Sequence, residues 1–374
     1  MILATLYQKA KTGKIQQWTI RTEGCNIIKE FGEMGGKLRE SEPVACVGKN
    51  IGKANETTPE QQAELEIKSQ WQKKLDVKYS LTPDCAEETT KILPQHANVF
   101  DDHKKKIIYP CIVQHKLNGL NTMAVGDISD IKLQSRGNKS YDTVQHINKA
   151  LAGKIPANII PCGEIYLHGI NLQECNRRVK KYRGAKSDAM NFNAFDLVNL
   201  DDLSMPQDAR LELLNDIFSK IDSPSIVVEE TFIANNEAEV LAYEKRFVLE
   251  GYEGAMVRNI KAPYVLGKET YDVLKVKSFK DKEFPIVGFT DGVGRNKGCV
   301  TFTCGLPNGK TFEVVPVGSY SKKAYWFEHG ESYIGKMLMV KYFDLSEDGV
   351  PTIAVGKPGE AFAIRLEADI DEAA

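Results

Sequence analysis

The spacing of apolar and polar residues along this chain changes character twice, across residues 81–106 and near residue 281. Between these points, apolar runs with the strand period of two alternate with stretches of helical period. After residue 281 only the strand pattern continues, broken by Gly-rich and Asn-Gly turns. We therefore predict an N-terminal module (1–80), a linker (81–106), a mixed α+β domain (107–280) and an all-β domain with an acidic tail (281–374).

The N-terminal module combines a predicted β-hairpin with one amphipathic helix. Two short strands flank a turn at residues 12–14. The helix should begin at Thr58-Pro59, because Gln61 follows Thr58 by three residues, as in a capping box. A stripe at helical spacing would face the core of the module, and it consists of Ala63, Ile67, Trp71 and Leu75.

Seven strands and three helices are predicted in the mixed domain. The strands are the runs IYPCIVQHKL, IKLQS, IIPCGEIYL, NFNAFDLV, SIVVEE, GAMVRN and DVLKVK. The helices cover residues 141–151, 206–221 and 236–250. The all-β domain adds about five short strands, a number typical of a small OB-type barrel.

The bulk composition is that of an ordinary globular protein and excludes several classes. The 374 residues carry 49 basic and 51 acidic side chains, so a nucleic-acid surface has to be a local patch. The eight cysteines include no CxxC pair, which argues against zinc ribbons and favours a reducing compartment. No apolar run approaches the ~18 residues of a membrane span. We expect a soluble, cytoplasmic monomer with no membrane partner.

One lysine stands where a covalent intermediate can form. Lys116 closes a predicted strand, directly before the turn Leu117-Asn118-Gly119. Lys275 and Lys277 lie two residues apart in a later predicted strand, so their side chains would share a face. Neighbouring cations help a lysine to lose its proton and balance the charge of a triphosphate. The pattern predicts a lysine nucleophile acting on a nucleotide, whereas His115 should point to the opposite face and pack.

Two carboxylates and an aromatic residue complete the predicted site. Glu164 lies mid-strand in CGEIY, where an acid is costly unless it meets a cation. Glu253 lies in a Gly-flanked segment at the mouth of a later strand. Together they could hold Mg²⁺, which prefers carboxylate and phosphate oxygens. Phe195, in the run NAFDLV, could stack on a base.

A basic patch is the predicted contact with nucleic acid. Six cations fall within ten residues, and no acid interrupts them. Such a patch suits a phosphate backbone near the site and predicts salt-dependent binding. The six residues are Arg177, Arg178, Lys180, Lys181, Arg183 and Lys186.

The ordered motifs resemble those of the nucleotidyltransferase superfamily of ATP-dependent DNA ligases, particularly phage and bacterial forms. The family motif Lys-x-(Asp/Asn)-Gly matches at Lys116, which implies that this lysine is adenylated. The resemblance implies ATP and Mg²⁺ as cofactors, with Glu164 and Glu253 at the metal, and Lys116, Lys275 and Lys277 as catalytic residues. The implied ATP contacts are Gln114, Lys116, Asn118, Gly119, Arg136, Glu164, Phe195, Lys275 and Lys277.

The resemblance also implies a fold and a reaction. The α+β fold would be a nucleotidyltransferase (ATP-grasp-like ligase) domain of antiparallel sheets and helices, followed by an OB-fold barrel. The N-terminal module resembles WGR-type domains, through Trp18, the Gly-rich stretch 31–37 and the Trp71 helix. The reaction would seal nicked double-stranded DNA through lysyl-AMP, AMP transfer to the 5′-phosphate and attack by the 3′-hydroxyl. The location would be bacterial cytoplasm or an infected host cell.

Departures from the family pattern leave alternatives open. Asn121 stands where arginine is common, Asn118 replaces aspartate, and the last motif has no clean match, Arg365 being the nearest residue. An RNA ligase or a GTP-dependent capping guanylyltransferase shares the lysine chemistry, and a catalytically silent nucleic-acid-binding protein could keep the fold. An NAD-dependent ligase is disfavoured because its zinc-finger cysteine pairs are missing.

Overall fold

The chain divides into two compact units, residues 1–276 and residues 277–374. The computed structural model describes residues 1–10, 12–88, 92–126, 129–277, 279–343, 345–346, 348–352, 354–356 and 364–365. Within these ranges, no helix combines the length and the apolar character that a membrane span requires.

The first unit begins with a five-stranded antiparallel sheet that packs against a long helix. The strands are β1 (Leu6–Lys9), β2 (Ile15–Glu23), β3 (Asn26–Glu33), β4 (Arg39–Glu40) and β5 (Val44–Ala45). They follow the order β1-β2-β3-β4, and β5 pairs with the start of β3. The helix α1 (Pro59–Val77) lies against β2 and β3.

Helix α1 starts where the sequence predicts and turns the predicted stripe to the core. Thr58 accepts a hydrogen bond from the Gln61 backbone, and the Gln61 side chain accepts one from the Thr58 backbone. The apolar stripe packs beside Trp18, which is 4% exposed. Trp71 donates its indole N–H to the Ala4 carbonyl at 2.6 Å. The predicted hairpin, capping box and stripe are confirmed.

The rest of the first unit alternates strands and helices, as the sequence predicts. Its strands are β6 (His96–Val99), β7 (Cys111–Lys116), β8 (Leu120–Gly126), β9 (Ile131–Ser135), β10 (Ile159–Tyr166), β11 (Asn191–Asn199), β12 (Ile226–Val228), β13 (Thr231–Ala234), β14 (Gly254–Asn259) and β15 (Glu269–Val276). Its helices are α2 (Pro83–Glu88), α3 (Phe100–His103), α4 (Gln145–Leu151), α5 (Leu172–Lys180), α6 (Ala185–Asp188), α7 (Gln207–Phe218) and α8 (Glu237–Leu249).

These strands form two mostly antiparallel five-stranded sheets. Sheet I has the order β12-β11-β10-β8-β9, and sheet II has the order β13-β7-β14-β15-β6. Helices α4 and α7 cover one face of sheet I, where Ile147 and Leu214 are fully buried. Helix α8 covers one face of sheet II through Val240 and Phe247. Since each sheet buries one face under helices, its other face is left to meet the other sheet.

Residues 96–106, which the sequence predicts to be irregular linker, belong to sheet II and its core. Strand β6 lies parallel to β15, and Phe100 in α3 is 1% exposed beside Val113. The run HANV is too short and too polar to show strand periodicity. Hydrogen bonds to β15 order it instead, so the prediction of irregular chain is wrong for these residues. The division of the first unit into smaller domains stays a prediction.

Between residues 107 and 276, four further elements escape the sequence-based prediction: β8, β13, α5 and α6. The run LNTMAVG of β8 opens with polar residues, and TFIA of β13 is only four residues long. Helix α5 is mostly polar and buries only Cys175 and Val179. Strands β8 and β13 and helix α5 are stabilised by neighbours distant in sequence, which local periodicity does not register. Helix α6 is only four residues long.

A buried polar seam joins the two sheets, and it consists of Gln114, Asp196, Arg210 and Arg258. Asp196 of sheet I accepts a hydrogen bond from Arg210 of α7 at 2.8 Å, and both side chains are 1% exposed. Arg258 of sheet II lies 3.5 Å from the same carboxylate. Arg258 also donates to the Gln114 side chain at 2.9 Å. The seam therefore connects the strand that bears Asp196 to the strand that ends at Lys116.

In its described residues the second unit is a β-sheet body with one α-helix, which the all-β pattern did not predict. Its elements are β16 (Lys280–Asp291), β17 (Val300–Gly305), β18 (Thr311–Val314), α9 (Tyr320–Glu328), β19 (Met337–Tyr342), β20 (Val355–Gly356) and β21 (Ile364–Arg365). The order is β18-β17-β16-β19-β20, and β21 also pairs with β19. A bridge between Pro316, just after β18, and Gly356 of β20 links the two ends of this order. Phe302 and Leu338 are fully buried in the core.

We predict that the polar seam contributes strongly to stability. Replacing Arg210 with Met leaves Asp196 buried without its main partner, which should lower the free energy of unfolding by about 3–5 kcal/mol. Lys220→Met is the matched control, because its pair with Asp216 is exposed, at 65% and 63%. The control should change stability by less than about 0.5 kcal/mol. Urea unfolding followed by fluorescence measures both variants, and equal effects would contradict the prediction.

Candidate active site

Lys116 and Glu253, 137 residues apart in sequence, meet at the end of β7. Lys116 is paired with Gly254 of β14, and its carbonyl accepts a hydrogen bond from the Glu253 N–H at 2.9 Å. The Lys116 ammonium donates to the Glu253 carboxylate, and these side chains are only 16% and 8% exposed. The structure thus brings the predicted nucleophile and one predicted acid into a direct ion pair.

Glu164 reaches the same place from sheet I through the turn after Lys116. The Gly119 N–H donates to the Glu164 carboxylate at 2.8 Å. A Cβ atom at residue 119 would lie 2.7 Å from the Ile165 carbonyl oxygen, closer than real side chains come. Only glycine therefore allows the turn, which also contains Asn118, to lie this close to β10.

The electrostatic surroundings of Glu164 favour its protonated form. Burial raises the pKa of the Glu164 carboxyl from 4.5 to about 7. The Lys116 charge and the Gly119 N–H oppose this increase, whereas the negative charges of Glu253 and Glu229 add to it. A carboxyl in this state readily exchanges a proton for a cation near neutral pH.

Gln114 lies on the same face of β7 as Lys116, because alternate residues of a strand share a face. Its side chain is fully buried, and its amide donates to the Phe195 carbonyl at 3.2 Å and to Thr231 at 3.3 Å. Its oxygen accepts from Arg258. Both N–H groups are thus engaged by protein atoms, and the predicted contact between Gln114 and adenine stays a prediction.

Phe195 sits at an irregularity of sheet I. The pairing of β10 with β11 shifts between Cys162 and Gly163, so Asp196 and Ala194 are paired while Phe195 is skipped. Such bulges redirect a side chain. The Phe195 ring is half-buried, and the Arg258 guanidinium lies 5.1 Å from its centre. The ring is thereby anchored to the seam, and stacking on a base stays a prediction.

Arg136 and Lys275 are both predicted to contact the nucleotide, and both lower the pKa of the same side chain, His96. Burial lowers the pKa of His96, and the charges of Arg136, Lys275 and Lys78 lower it further against the opposing effect of Glu269. The structure therefore gathers several cations around this residue, which lies in β6. Sequence analysis missed His96 and Lys78 because neither lies in a motif, and β6 itself was not predicted.

Lys277, a predicted catalytic residue, directly follows the last residue of β15. Strand β15 ends at Val276, so the alternation that was expected to align Lys275 with Lys277 stops one residue short. Lys275 belongs to the first unit and Lys277 to the second. There the Lys277 ammonium lies 4.3 Å from the centre of the Phe343 ring.

The predicted basic patch lies on α5, on α6 and on the turn between them. Arg177, Lys180, Lys181, Arg183 and Lys186 are exposed. Arg178 is half-buried and donates to Glu174 at 2.9 Å, and Arg177 lies 3.5 Å from the same acid. Glu174 thus partly neutralises Arg177 and Arg178 at the start of the patch. The other four cations, from residue 180 onward, take no part in these two contacts.

Comparison with known proteins decides which family shares this arrangement. A family model described as ATP dependent DNA ligase domain matches residues 92–277. The DNA ligase of African swine fever virus from a South African tick isolate is 32% identical over 354 residues, covering 87% of this chain and 82% of the viral protein. A Kenyan pig isolate gives 33% over 356 residues, with the same coverage. The chain belongs to the family of ATP-dependent DNA ligases.

A solved structure supports the fold of this ligase independently. A Lig E DNA ligase superimposes with a TM-score of 0.59 at 21% identity, covering 72% of this chain and 99% of the other. The family match begins at residue 92, before β6, which agrees with the place of β6 in sheet II. Family membership decides among the lysine-based reactions left open by the sequence, in favour of DNA ligation.

The unusual state of Glu164 generates a pH-dependent prediction for the free ligase. The folded protein binds this proton more tightly than the unfolded chain does, so the stabilisation is present below pH 4.5 and is lost as pH rises through about 7. Glu164→Gln removes the ionisation. We expect the free energy of unfolding of the variant, relative to that of the unmodified ligase, to increase by about 1–3 kcal/mol as the pH rises from about 5 to about 8.

Urea unfolding at several pH values, without nucleotide or metal, measures this difference. Glu212→Gln is the control, because it removes an exposed carboxylate from α7 and should give a difference that stays flat with pH. A flat difference for Glu164→Gln as well would contradict the prediction.

Proposed function

We propose that this ligase seals nicks in double-stranded DNA in three steps that all use the site around Lys116. The observation that supports the proposal most directly is the convergence of Lys116, Glu253 and Glu164, held by the Gly119 turn. A lysine amine, two acids and a nearby group of cations are the functional groups that nucleotidyl transfer to a lysine requires.

In the first step the Lys116 Nζ atom attacks the α-phosphorus of ATP. A phosphorus–nitrogen bond forms, the bond from the α-phosphorus to its bridging oxygen breaks, and pyrophosphate leaves. Because an amine that carries an extra proton has no free electron pair, a proton has to leave Nζ before attack. The Glu253 carboxylate already accepts a hydrogen bond from Nζ and is the nearest candidate to receive the proton.

In the second step an oxygen of the DNA 5′-phosphate attacks the phosphorus of lysyl-AMP, and the nitrogen–phosphorus bond breaks. Lys116 recovers a proton, and the product is adenylated DNA. In the third step the 3′-hydroxyl at the nick attacks the 5′-phosphate, the phosphodiester forms, AMP leaves and the hydroxyl proton is lost. Cationic side chains near the site would balance the phosphate charge in each step.

The residues around Lys116 also fit Mg²⁺. Within the described part of the chain, no group of three or more His, Cys, Asp or Glu side chains is arranged to hold a metal ion. Glu164 and Glu253 would therefore supply two ligands, and phosphate oxygens and water the rest, as Mg²⁺ commonly accepts. The raised pKa of Glu164 fits a group that gains from a cation. Bound Mg²⁺ would neutralise phosphate charge.

The remaining nucleotide contacts follow from position in the site. Arg136 and Lys275 both lie near His96 and so belong to one group of cations. We propose that this group faces the phosphates. Phe195 would stack on adenine, with Gln114 at the adenine edge and Asn118 in the turn beside Lys116. We propose that Lys277 also stabilises phosphoryl charge.

The second unit and the N-terminal module have proposed roles as well. We propose an OB-type barrel for residues 281–374, supported by the five-strand order and the bridge that links its ends. The module 1–80 would be WGR-like and contact DNA, although Trp18 serves its core. We propose a cytoplasmic monomer, since one chain carries Lys116, Glu164 and Glu253.

The lysine intermediate gives the decisive test of the proposed reaction. Incubation with ATP and Mg²⁺, followed by mass spectrometry, should show a gain of one AMP on the peptide that contains Lys116. Lys116→Ala should abolish the adduct, because it removes the amine that forms the bond to the α-phosphorus. Lys132→Ala, which removes an exposed lysine of β9, should load normally. An adduct that persists in Lys116→Ala, or maps elsewhere, would overturn the proposal.

The basic patch should bind DNA through its phosphates. Replacing Lys180, Lys181, Arg183 and Lys186 with Ala should weaken binding to nicked duplex and reduce the salt slope by about 0.9 per lost phosphate contact. AMP loading should persist, because the first step needs no DNA. Lys220→Ala with Lys245→Ala removes exposed lysines near α7 and on α8, as a control. Unchanged affinity and slope in the fourfold variant would contradict the assignment.

A further inference from the structure

The residues directly before Lys116 and Glu253 meet on the reverse side of sheet II. His115 and Tyr252 stack with ring centres 4.0 Å apart and planes 24° apart. Because neighbouring residues of a strand point to opposite faces, His115 points away from the Lys116 side chain. The prediction that His115 packs on the opposite face is confirmed, since its ring also lies 4.0 Å from Phe247.

Glu229 holds the His115 ring in one orientation. The distance from His115 Nδ1 to Glu229 Oε1 is 2.5 Å, and both side chains are 7% exposed. A carboxylate buried this deeply requires a donor, so Nδ1 carries the hydrogen and donates it. His115 Nε2 lies 3.7 Å from the Glu250 carboxylate. The ring is therefore fixed by a hydrogen bond on one side and by stacking on its face.

Tyr252 is held from its other side as well. His168 lies 4.7 Å from the Tyr252 ring, and the His168 Nδ1 atom is hydrogen-bonded to the Tyr166 hydroxyl at 2.8 Å. A pocket of about 270 Å³, lined by His115, Tyr252, Glu229 and their neighbours, adjoins this group. The two rings are thus positioned by each other and by their contacts with Phe247 and His168.

We propose that His115, Tyr252 and Glu229 form a positioning clamp for the nucleophile. On the front of the sheet, Lys116 and Glu253 are joined by their ion pair and by one backbone hydrogen bond of 2.9 Å. On the back, the residues that precede them are locked together by the clamp. The clamp thus sets the backbone directions from which the Lys116 amine and the Glu253 carboxylate extend, without occupying the space of ATP or DNA.

The proposal rests on the lysyl-AMP reaction proposed above and predicts a particular kinetic defect. Nucleophilic attack requires near-attack geometry, and a displacement of about 1 Å can reduce a rate by about 100-fold. Loss of the clamp should therefore slow the formation of Lys116–AMP. It should leave the apparent affinity for ATP nearly unchanged, because the His115 and Tyr252 rings lie on the face of sheet II opposite to the Lys116 side chain.

Single-turnover AMP loading, measured against ATP concentration, tests the clamp through Tyr252. Tyr252→Leu should lower the maximal loading rate at least about 10-fold, with the half-saturating ATP concentration changed less than about twofold. Tyr252→Phe keeps the stacked ring and should restore the rate. Tyr243→Leu removes another aromatic ring of the same core, one that stacks on Phe232 and Phe247. This control should lower the melting temperature without slowing AMP loading per folded molecule.

A second arm of the experiment uses Glu229 and remains informative if Tyr252→Leu fails to fold. Glu229→Gln can still accept the His115 hydrogen bond and should load AMP at nearly the normal rate. Glu229→Ala cannot, and it should be slow. Normal rates in folded Tyr252→Leu or Glu229→Ala would overturn the clamp, as would equal defects in Tyr252→Phe and Tyr252→Leu. No adduct on Lys116 of the unmodified ligase would instead overturn the lysyl-AMP reaction itself.

Discussion

The position of the active site depends on the buried polar seam between the two sheets. Asp196 comes from sheet I, Gln114 and Arg258 come from sheet II, and Arg210 reaches in from α7. Apolar contacts tolerate sliding, but a buried charge must keep its partners and hydrogen bonds. The seam therefore permits one spacing and one register of the sheets. Because Gln114 and Lys116 share a face of β7, that register carries directly to the nucleophile.

The chemistry of the site follows from charges that are already balanced before substrates arrive. Lys116 is neutralised by Glu253, and Glu164 lies close enough to sense both. A lysine amine attacks phosphorus only after it has lost its proton. A substrate that brings its own negative charge and an accompanying cation into this group would change the balance of charges around Lys116.

The candidate catalytic residues are predictable from sequence because they lie in short motifs near strand ends. The sequence predicts Lys116, Glu164 and Glu253, and the structure brings them together. Their mutual distances were not predictable, because the pairing of β7 with β14 joins residues 137 positions apart. The end of β15 at Val276, one residue before Lys277, was not predictable either, since nothing local marks it.

The contacts that position these residues could not be predicted from the sequence. Asp196 pairs with Arg210. From the sequence, an arginine in a helix is expected at the surface, but Arg210 is 1% exposed. His96 and Lys78 lie in segments with no motif and no periodicity. Each acquires its position from contacts across the fold. Sequence analysis therefore recovers the chemical groups more completely than the framework that orients them.

Strand β6 has a consequence for how this enzyme can be dissected. It runs parallel to β15, whose last residues include Lys275. A fragment starting at residue 107, where the sequence alone suggests a boundary, would leave β15 with a row of unpaired backbone donors and acceptors. Such an uncovered edge is a template for another chain and promotes aggregation. A shortened enzyme that stays monodisperse has to retain His96–Val99, beyond the residues that perform the chemistry.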